Sequence, residues 1–310
     1  MSEFSSKLID KLYVKQWQIG ICRGNIKEII RSKTFNPDIN WLPLNSLDFF
    51  RADPFLLRTK DGIMNILFED FVFDDFYGRI WVMKIDENFN KINEKILLDT
   101  KSHLSYPFIF EENNKVYLFP ESSHSGRLSC YEYDPVNQSV NFIKEIMELP
   151  LLDSTIIKHN DKYWLFGTLN GTYRHSRLHI YFSDNLLGPY TPHPGNPVKS
   201  SSNGTRPAGN FFEIDGIIYR PSQNCEKKYG ESITINRITE LGEYHFSEEY
   251  HMKICIDKNN PYNDRVQTIH TLNIIDDIMV VDGIKWTFSP KNQWKNFLRN
   301  RANSGAEEES

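Results

Sequence analysis

The sequence predicts an all-β fold, a single five-bladed β-propeller, and three observations carry that prediction. A frame of two short apolar strands around a polar turn occurs five times along the 310 residues. The copies follow one another at intervals of roughly 50 residues, the period of propeller blades. Apolar residues alternate with period 2, and no long segment has the 3.6-residue period of a helical repeat.

Each frame begins with a small or polar residue, continues as an apolar strand, turns at Asn, Asp or Gly, and ends as an aromatic-rich strand. Such a turn between alternating apolar runs is the strongest short-range signal of a β-hairpin. The copies are ADPFLLRTKDGIMNILFED from 52, SYPFIFEENNKVYLFPES from 105, LDSTIIKHNDKYWLFGT from 152, TRPAGNFFEIDGIIYRPS from 205 and a weaker IHTLNIIDDIMVVDG from 269. We predict turns at 60–62, 113–114, 160–161, 215–216 and 276–277.

A third strand follows four of the hairpins, at 78–86, 126–134, 176–184 and 230–238. Too little sequence follows the fifth hairpin for a full outer edge. The strand at 15–24 has no hairpin partner of its own. We expect it to close the ring, because an open ring leaves strand edges exposed. No helical crossovers separate the strands, which argues against a two-domain α/β fold.

The domain organisation follows from these strands. We predict one propeller over 13–294, preceded by an N-terminal extension over 1–12 and followed by a polar, flexible tail over 295–310. The sequence SEFSSKLIDKLYV at the N-terminus is the one segment with a helical pattern.

Composition excludes several classes of partner and site. The net charge is −5 and no long basic run exists, so nucleic-acid binding through phosphates has little support. The N-terminus lacks an apolar segment that exports or anchors a chain, so we expect no membrane insertion and a cytoplasmic location. The four cysteines form no CxxC pair, and no histidines have metal-ligand spacing. We therefore expect free thiols, no metal and no cofactor.

One position near the start of each frame holds a different polar side chain in every copy. These five residues, called the axial residues below, are Asp53, Tyr106, Asp153, Arg206 and His270. The first strand of a propeller blade lines the central channel, so we expect them to face one another around one opening. A purely structural role favours the same residue in every blade. The alternative for an Asp-Pro pair alone is a turn, since a residue before proline favours extended geometry.

The ends of the second strands bring more polar groups to the same opening. These are Glu69 and Asp70, Glu121, Thr168, Gln223 and Asp282. Several carboxyl groups around one cleft, beside an arginine and a histidine, are the groups that acid/base catalysis needs. The opening is therefore the candidate site.

The frames ADPF on blade one and DKYWLFGT on blade three resemble those of the five-bladed propellers of glycoside hydrolase family 43. The stretch from about Trp41 to Ile254 more closely resembles the propeller domain at the N-terminus of plant glucosamine inositolphosphorylceramide transferases, and related bacterial domains of polysaccharide pathways. The hydrolase resemblance implies inversion at an anomeric carbon, with a base on blade one, a carboxyl that tunes pKa on blade two and an acid on blade three. Asp53 matches the base, and Tyr106 departs from the blade-two pattern. Asp153 is shorter than the expected acid, for which Glu121 is the alternative.

From this resemblance we expect a carbohydrate-active propeller of glycan or surface-polysaccharide metabolism, either glycosidase-like or active in glycosyl transfer. The expected catalytic residues are Asp53, Asp153 and Glu121, and the expected substrate-binding residues are Arg51, Glu69, Asp70, Tyr106, Arg206, Gln223 and His270. Arg206 is expected to orient a ligand carboxylate or to help ionise Asp153. The expected partners are a saccharide or glycoconjugate and other enzymes of glycan biosynthesis. A noncatalytic sugar-binding or scaffold module is the alternative, and a channel ion held by His270 and carboxylates stays open.

Overall fold

Five antiparallel sheets surround a common axis as the blades of a β-propeller, which confirms the predicted fold class. The computed structural model describes residues 13–59, 62–257, 266–291 and 294. The expected N-terminal extension over 1–12, the expected tail over 295–310 and the turn residues 60–61 lie outside the described residues.

Blades one and two are four-stranded sheets whose strands follow chain order from the axis outwards. Blade one consists of β3 (Phe49–Arg58), β4 (Met64–Val72), β5 (Tyr77–Ile85) and β6 (Lys91–Leu98). Blade two consists of β7 (Ser105–Glu112), β8 (Lys115–Glu121), β9 (Leu128–Asp134) and β10 (Ser139–Met147), with a short 3₁₀ turn at Ser123–Ser125 after β8.

Blades three and four keep the same order but carry extra short strands. Blade three consists of β11 (Leu151–His159), β12 (Lys162–Leu169) and β13 (Arg177–Ser183), with β14 (Thr191–Pro192) and β15 (Lys199–Ser200) both paired to β13. Blade four consists of β16 (Asn203–Pro207) and β17 (Phe212–Ile214), both paired to β18 (Ile217–Asn224), then β19 (Ser232–Leu241) and β20 (Phe246–Ile254).

The fifth blade joins the two ends of the propeller sequence. β21 (Val266–Ile275) and β22 (Ile278–Phe288) form its inner hairpin, and β1 (Tyr13–Arg23) pairs with β22 along its whole length. β2 (Asn40–Trp41) is the fourth strand. The N-terminal strand therefore closes the ring as predicted, and it does so as the third strand of blade five.

A short helix between β1 and β2 was not predicted. Helix α1 (Ile26–Ser32) is capped by Asn25, whose Oδ1 accepts the backbone N–H of Lys27 at 3.0 Å. Seven residues make only two turns, so the segment has no sustained apolar period. The available signal was local: an Asn cap, an acidic residue in the first turn and a basic residue in the last.

The innermost strand of every blade contains a register shift at its axial residue. The shifts lie between Ala52 and Phe55, Ser105 and Phe108, Leu152 and Thr155, Asn203 and Pro207, and Ile269 and Leu272. A bulge bends its strand and redirects a side chain. The axial residues therefore converge because the same backbone irregularity recurs five times.

Three axial residues have a left-handed backbone, and at Asp53 and Tyr106 this corrects the extended geometry expected before proline. The φ angles are 52° at Asp53, 41° at Tyr106 and 52° at Asp153. Asp and Asn adopt this region more readily than other residues with a side chain, whereas Tyr does so rarely. The bulge and its hydrogen bonds override the local preference.

The core lies between neighbouring blades. One apolar cluster joins blades one to three, and another joins α1 with blades four and five. Ile21 of β1 belongs to a third cluster, between blades five and one. All four cysteines are free thiols, as expected. In the described part of the chain, no helix is long and apolar enough to cross a membrane.

Candidate active site

A cavity of about 320 Å³ opens on the propeller axis, where several of the axial residues meet. This volume lies at the lower end of the range of small-molecule sites, roughly 300–1,000 Å³. Blades one, two, four and five line the cavity. The lining residues are Trp17, Phe50, Ala52, Asp53, Glu69, Phe71, Phe73, His103, Ser105, Glu121, Arg206, Tyr229 and His270.

Asp53 lies in the bulge of blade one and is bonded to two neighbouring blades. Its N–H donates to Asp282 Oδ2 at 2.8 Å, and its Oδ2 accepts the N–H of Tyr106 at 3.3 Å. Burial raises the pKa of Asp53 to about 7, with His270 acting in the opposite direction. The carboxyl group therefore titrates near neutral pH while facing the cavity.

His270 is held beside Asp53 by a buried carboxylate. Asp282 Oδ1 accepts from His270 Nδ1 at 2.6 Å, which leaves His270 Nε2 at 3.6 Å from Asp53 Oδ1. Trp17 stacks on the imidazole with ring centroids 3.8 Å apart. Burial lowers the pKa of His270, but the attraction of Asp282 and Asp53 outweighs it and the net pKa is raised. The histidine is thus oriented from both sides.

Arg206 connects blades two, three and four. Its guanidinium makes two hydrogen bonds to the Asp153 carboxylate, of which the Nη2–Oδ1 bond measures 3.1 Å. Nη2 also lies 3.6 Å from Glu121 Oε2, and the Tyr229 ring covers the guanidinium at 5.1 Å. Gln223 Nε2 donates to Asp153 Oδ2 at 2.8 Å. Asp153 is therefore a buried counter-ion behind Arg206 and does not line the cavity.

Glu121 enters the cavity from the end of β8. Its Oε1 accepts the Ser123 hydroxyl at 3.0 Å, and its Oε2 accepts the N–H of Asp153 at 3.3 Å. Burial raises the pKa of Glu121 to about 8, the Asp153 carboxylate adds to this, and Arg206 opposes it. At neutral pH this carboxyl group is largely protonated.

Glu69 is a third carboxyl group in the cavity. It is 5% exposed, and its Oε1 has no hydrogen-bond partner among the described residues. His103 Nε2 is 3.8 Å away, beyond hydrogen-bond distance. Burial and the neighbouring Asp53 and Glu121 raise the pKa of Glu69 well above its usual value.

Five of the residues expected at the site, Asp153 among them, lie outside the cavity lining. Arg51 Nε donates to Asp70 Oδ2 at 3.1 Å, and Arg51 Nη1 donates to Glu94 at 2.9 Å. This buried network does not face the cavity. Tyr106 is fully buried, and its hydroxyl contacts Thr155 and the N–H of Gly209. Gln223, like Asp153, lies behind Arg206.

Sequence reasoning missed Trp17 and placed Asp282 only among the second-strand ends. Trp17 lies on β1, far from the repeated frames, and no local pattern connects it with His270. The position of Asp282 in the repeat could have identified it as a site residue. It lies at the end of the second strand of blade five, where blades one and two carry Glu69 and Glu121.

One group of described residues has the spacing of metal ligands. Ligand atoms of Asp53, His270 and Asp282 lie within 4.8 Å of one another. Asp282 Oδ1 already accepts from His270 Nδ1 and from the N–H of Thr271 at 3.0 Å. Hydrogen bonds within the protein therefore account for the grouping, and no chemical step is assigned to an ion.

The sequence of this propeller matches a known family. Residues 44–283 match the family described as glucosamine inositolphosphorylceramide transferase 1, N-terminal. The chain belongs to this family. It is 35% identical over 205 residues to glucosamine inositolphosphorylceramide transferase 1 of Arabidopsis thaliana and 32% identical to that of Oryza sativa subsp. japonica. Each alignment covers 64% of this chain and 27% of the relative, so the chain matches well under half of these longer family members.

Two solved structures share the fold. A family 117 glycoside hydrolase from Zobellia galactanivorans has a TM-score of 0.55 and 14% identity, over 89% of this chain and 91% of that chain. The second is a family 43 β-xylosidase/α-arabinofuranosidase from a compost microbial metagenome, solved in complex with xylotriose. It has a TM-score of 0.55 and 14% identity, and the match covers 78% of this chain and 92% of that chain. At these identities the similarity establishes the shared propeller fold.

Proposed function

We propose that the chain is a carbohydrate-active propeller that performs acid/base chemistry at the anomeric carbon of a saccharide bound in the axial cavity. One observation carries the proposal: Asp53 and Glu121 come from different blades and line the same cavity. Burial raises their pKa values to about 7 and about 8, so each carboxyl group can take up or release a proton near neutral pH. Two carboxyl groups with different ionisation are what inverting glycosidic chemistry requires.

In the proposed reaction, Asp53 is the general base and Glu121 the general acid. Asp53 removes a proton from water, or from an acceptor hydroxyl, as its oxygen bonds to the anomeric carbon. The bond from that carbon to the leaving oxygen breaks, and Glu121 gives its proton to the leaving oxygen. Water as nucleophile yields hydrolysis, and a sugar hydroxyl yields transfer. Asp153, the other acid expected from the sequence, is engaged by Arg206 and Gln223.

The aromatic walls of the cavity support a saccharide as the ligand. Phe50, Phe71 and Phe73 form one wall, and Trp17 and Tyr229 flank His270. Flat apolar faces with polar groups at their edges suit the two kinds of surface of a sugar ring. The solved relative with bound xylotriose supports the same choice of ligand class.

A noncatalytic sugar-binding module is the second proposal, and two observations favour it. The longer relatives are named transferases, and this chain matches 27% of their length, so the transferase activity of a longer relative can reside elsewhere in it. Arg206 Nη2, 3.6 Å from Glu121, also opposes protonation of the proposed acid. A role in polysaccharide biosynthesis, contacts with other enzymes of that process and a cytoplasmic location remain predictions under either proposal.

Asp53→Asn tests the catalytic proposal. Asn tolerates the left-handed backbone of position 53, so the fold is expected to persist. We expect saccharide binding on an array to be retained and turnover to fall by about 10²–10⁴-fold, the typical contribution of a general base. Asp161→Asn makes the same chemical change on an exposed turn of blade three and is expected to leave both unchanged.

The anomeric configuration of the first-formed product, followed by proton NMR, completes this test. Inversion supports the proposed pair of carboxyl groups, and retention contradicts it. If Asp53→Asn binds and turns over like the parent chain, Asp53 is not the base. Binding without any turnover in the parent chain supports the noncatalytic module.

A further inference from the structure

Glu69 reaches the cavity from the second strand of blade one, in a position shaped by a neighbouring glycine. β4 lies between β3 and β5, and Glu69 pairs with Ala52 on one side and Ile80 on the other. A Cβ atom at Gly78 would lie 2.5 Å from Glu69 Oε1 and 2.4 Å from the Leu104 carbonyl oxygen. Any larger residue at 78 would therefore displace the carboxyl group.

Glu69 differs from the other buried carboxyl groups near the axis because one of its oxygens is unsatisfied. Asp53, Glu121, Asp153 and Asp282 each accept hydrogen bonds at both oxygens or from several donors. Glu69 Oε1 accepts none among the described residues, although Glu69 is 5% exposed. Leaving a buried polar group unpaired is costly, and such groups are rare in folded proteins. Glu69 lines the cavity, so a ligand bound there is the natural partner of its carboxyl group.

The surroundings of Glu69 identify the part of a ligand that it would meet. Phe50 and Phe71 stack with ring centroids 4.8 Å apart, and Phe73 meets Phe71 edge-on at 5.8 Å. These rings line the cavity together with Glu69. A sugar ring lying on this wall would present its hydroxyl groups at the ring edge, where the carboxyl group lies.

The charges around the cavity disfavour an anionic ring. Asp53, Glu69 and Glu121 all line it. Its two cationic groups are already engaged, Arg206 by Asp153 and His270 by Asp282. A ligand carboxylate or phosphate would therefore find both cations already paired, and its charge would further oppose ionisation of the three acidic groups. The expectation that Arg206 orients a ligand carboxylate does not fit this arrangement.

We propose that Glu69 determines ligand specificity by hydrogen bonding to a hydroxyl group of an uncharged saccharide ring on the phenylalanine wall, and that the cavity rejects anionic rings. The proposal rests on the proposed saccharide site and adds the chemical class of the ring and the residue that selects it. It holds whether the site turns over its ligand or only binds it.

The test compares neutral rings with their uronates. The probes are methyl glucoside, methyl galactoside and the two corresponding methyl uronates. Monodeoxy analogues of whichever neutral ring binds more tightly complete the set. NMR titration gives the dissociation constant of each probe. We expect the parent chain to bind the neutral ring at least about tenfold more tightly than its uronate. Glu69→Gln should reduce the ratio of the affinity for the neutral ring to the affinity for its uronate. The control is Glu240→Gln, the same change on an exposed part of β19, and it should leave this ratio unchanged.

A second variant locates the hydroxyl group. Glu69→Ala should weaken binding of the parent ring by about two- to tenfold, as expected for loss of one hydrogen bond. One monodeoxy analogue should bind Glu69→Ala as tightly as it binds the parent chain, because that analogue lacks the hydroxyl group that Glu69 contacts. Thermal unfolding of each variant shows that the fold persists.

Two results overturn the inference while leaving the proposed function intact. One is a uronate that binds the parent chain as tightly as the neutral ring. The other is a neutral-to-uronate affinity ratio that stays the same in Glu69→Gln while this variant still binds the neutral ring. If no ring binds the folded parent chain, the proposed saccharide site fails and this inference fails with it.

Discussion

Asp53 has a strained backbone, and the surrounding hydrogen bonds explain how that backbone is kept. A left-handed conformation costs a residue other than glycine about 1–3 kcal/mol. The N–H of Asp53 donates to Asp282, and its carboxyl group accepts from Tyr106 and Thr271, so both neighbouring blades hold it. The strain aims the carboxyl group along the axis, which an extended residue on a regular strand would not do.

Burial of the cavity carboxyl groups predicts that the protein loses stability as the pH rises from about 4 to about 8, the interval between the unfolded and folded pKa values. The pKa rises from 3.8 to about 7 at Asp53 and from 4.5 to about 8 at Glu121 on folding. Each group thus binds its proton more tightly in the folded chain. Its stabilising contribution is full below the unfolded pKa and is lost as the pH rises through the folded pKa. We expect the free energy of unfolding to fall by several kcal/mol between about pH 4 and 8.

Urea unfolding at a series of pH values measures this dependence. The raised pKa of His270 acts in the same direction over the upper part of this range, because that histidine also loses its proton as the pH rises. The double variant Asp53→Asn, Glu121→Gln should flatten the profile, because both titrating groups are replaced by neutral amides. A profile that rises over this range, or one that the double variant leaves unchanged, would contradict the predicted direction.

At the scale of single elements, strand β1 is the closure of the propeller. It supplies the third strand of blade five and also Trp17, which stacks on His270. One strand thus couples ring closure to the site. The same strand places Ile21, fully buried, in the cluster between blades five and one.

Ile21→Ala tests how much β1 contributes to stability. Removal of a fully buried isoleucine side chain is expected to cost about 2–5 kcal/mol, because a cavity remains in a packed core. Ile92→Ala makes the same change on the outer strand of blade one, where the side chain is 52% exposed, and should cost less than about 0.5 kcal/mol. The midpoint of urea unfolding measures both. Equal losses would mean that β1 is not an integral part of the fold.

At the scale of the whole molecule, a few buried polar contacts connect the blades across the axis. Asp282 joins blade five to blade one, Tyr106 joins blade two to blades three and four, and Arg206 joins blade four to blade three. The apolar clusters pack neighbouring blades side by side, while these contacts set the relative positions of the blades at the centre.

Arg206→Met tests the polar connection between blades three and four. The change leaves the buried Asp153 carboxylate without its cation, and loss of one partner of a buried pair costs about 3–5 kcal/mol. Arg237→Met removes an exposed partner of Glu249 on the rim of blade four and should cost about 0–1 kcal/mol. Urea unfolding of the two variants gives the comparison. Similar small losses would show that the axial pair does not stabilise the propeller.

The repeated frames were sufficient to predict five blades, their hairpins and the strand that closes the ring. Alternating apolar residues and Asn, Asp or Gly turns act locally, and all five predicted turns contain a residue with a left-handed backbone, such as Asn113 or Asn160. Helix α1 escaped prediction because two turns are too short to establish a period.

The sequence alone determined the fold and the positions that approach the axis, because strand alternation and turn chemistry are local properties of the chain. Only the tertiary structure decided which polar side chains face the cavity. Asp53, Glu69 and Glu121 line it, whereas Arg51 and Tyr106 are engaged elsewhere. The physical reason is that bulge geometry and contacts between blades, including Trp17 from the opposite end of the propeller sequence, set those directions, and neither is encoded in a local pattern.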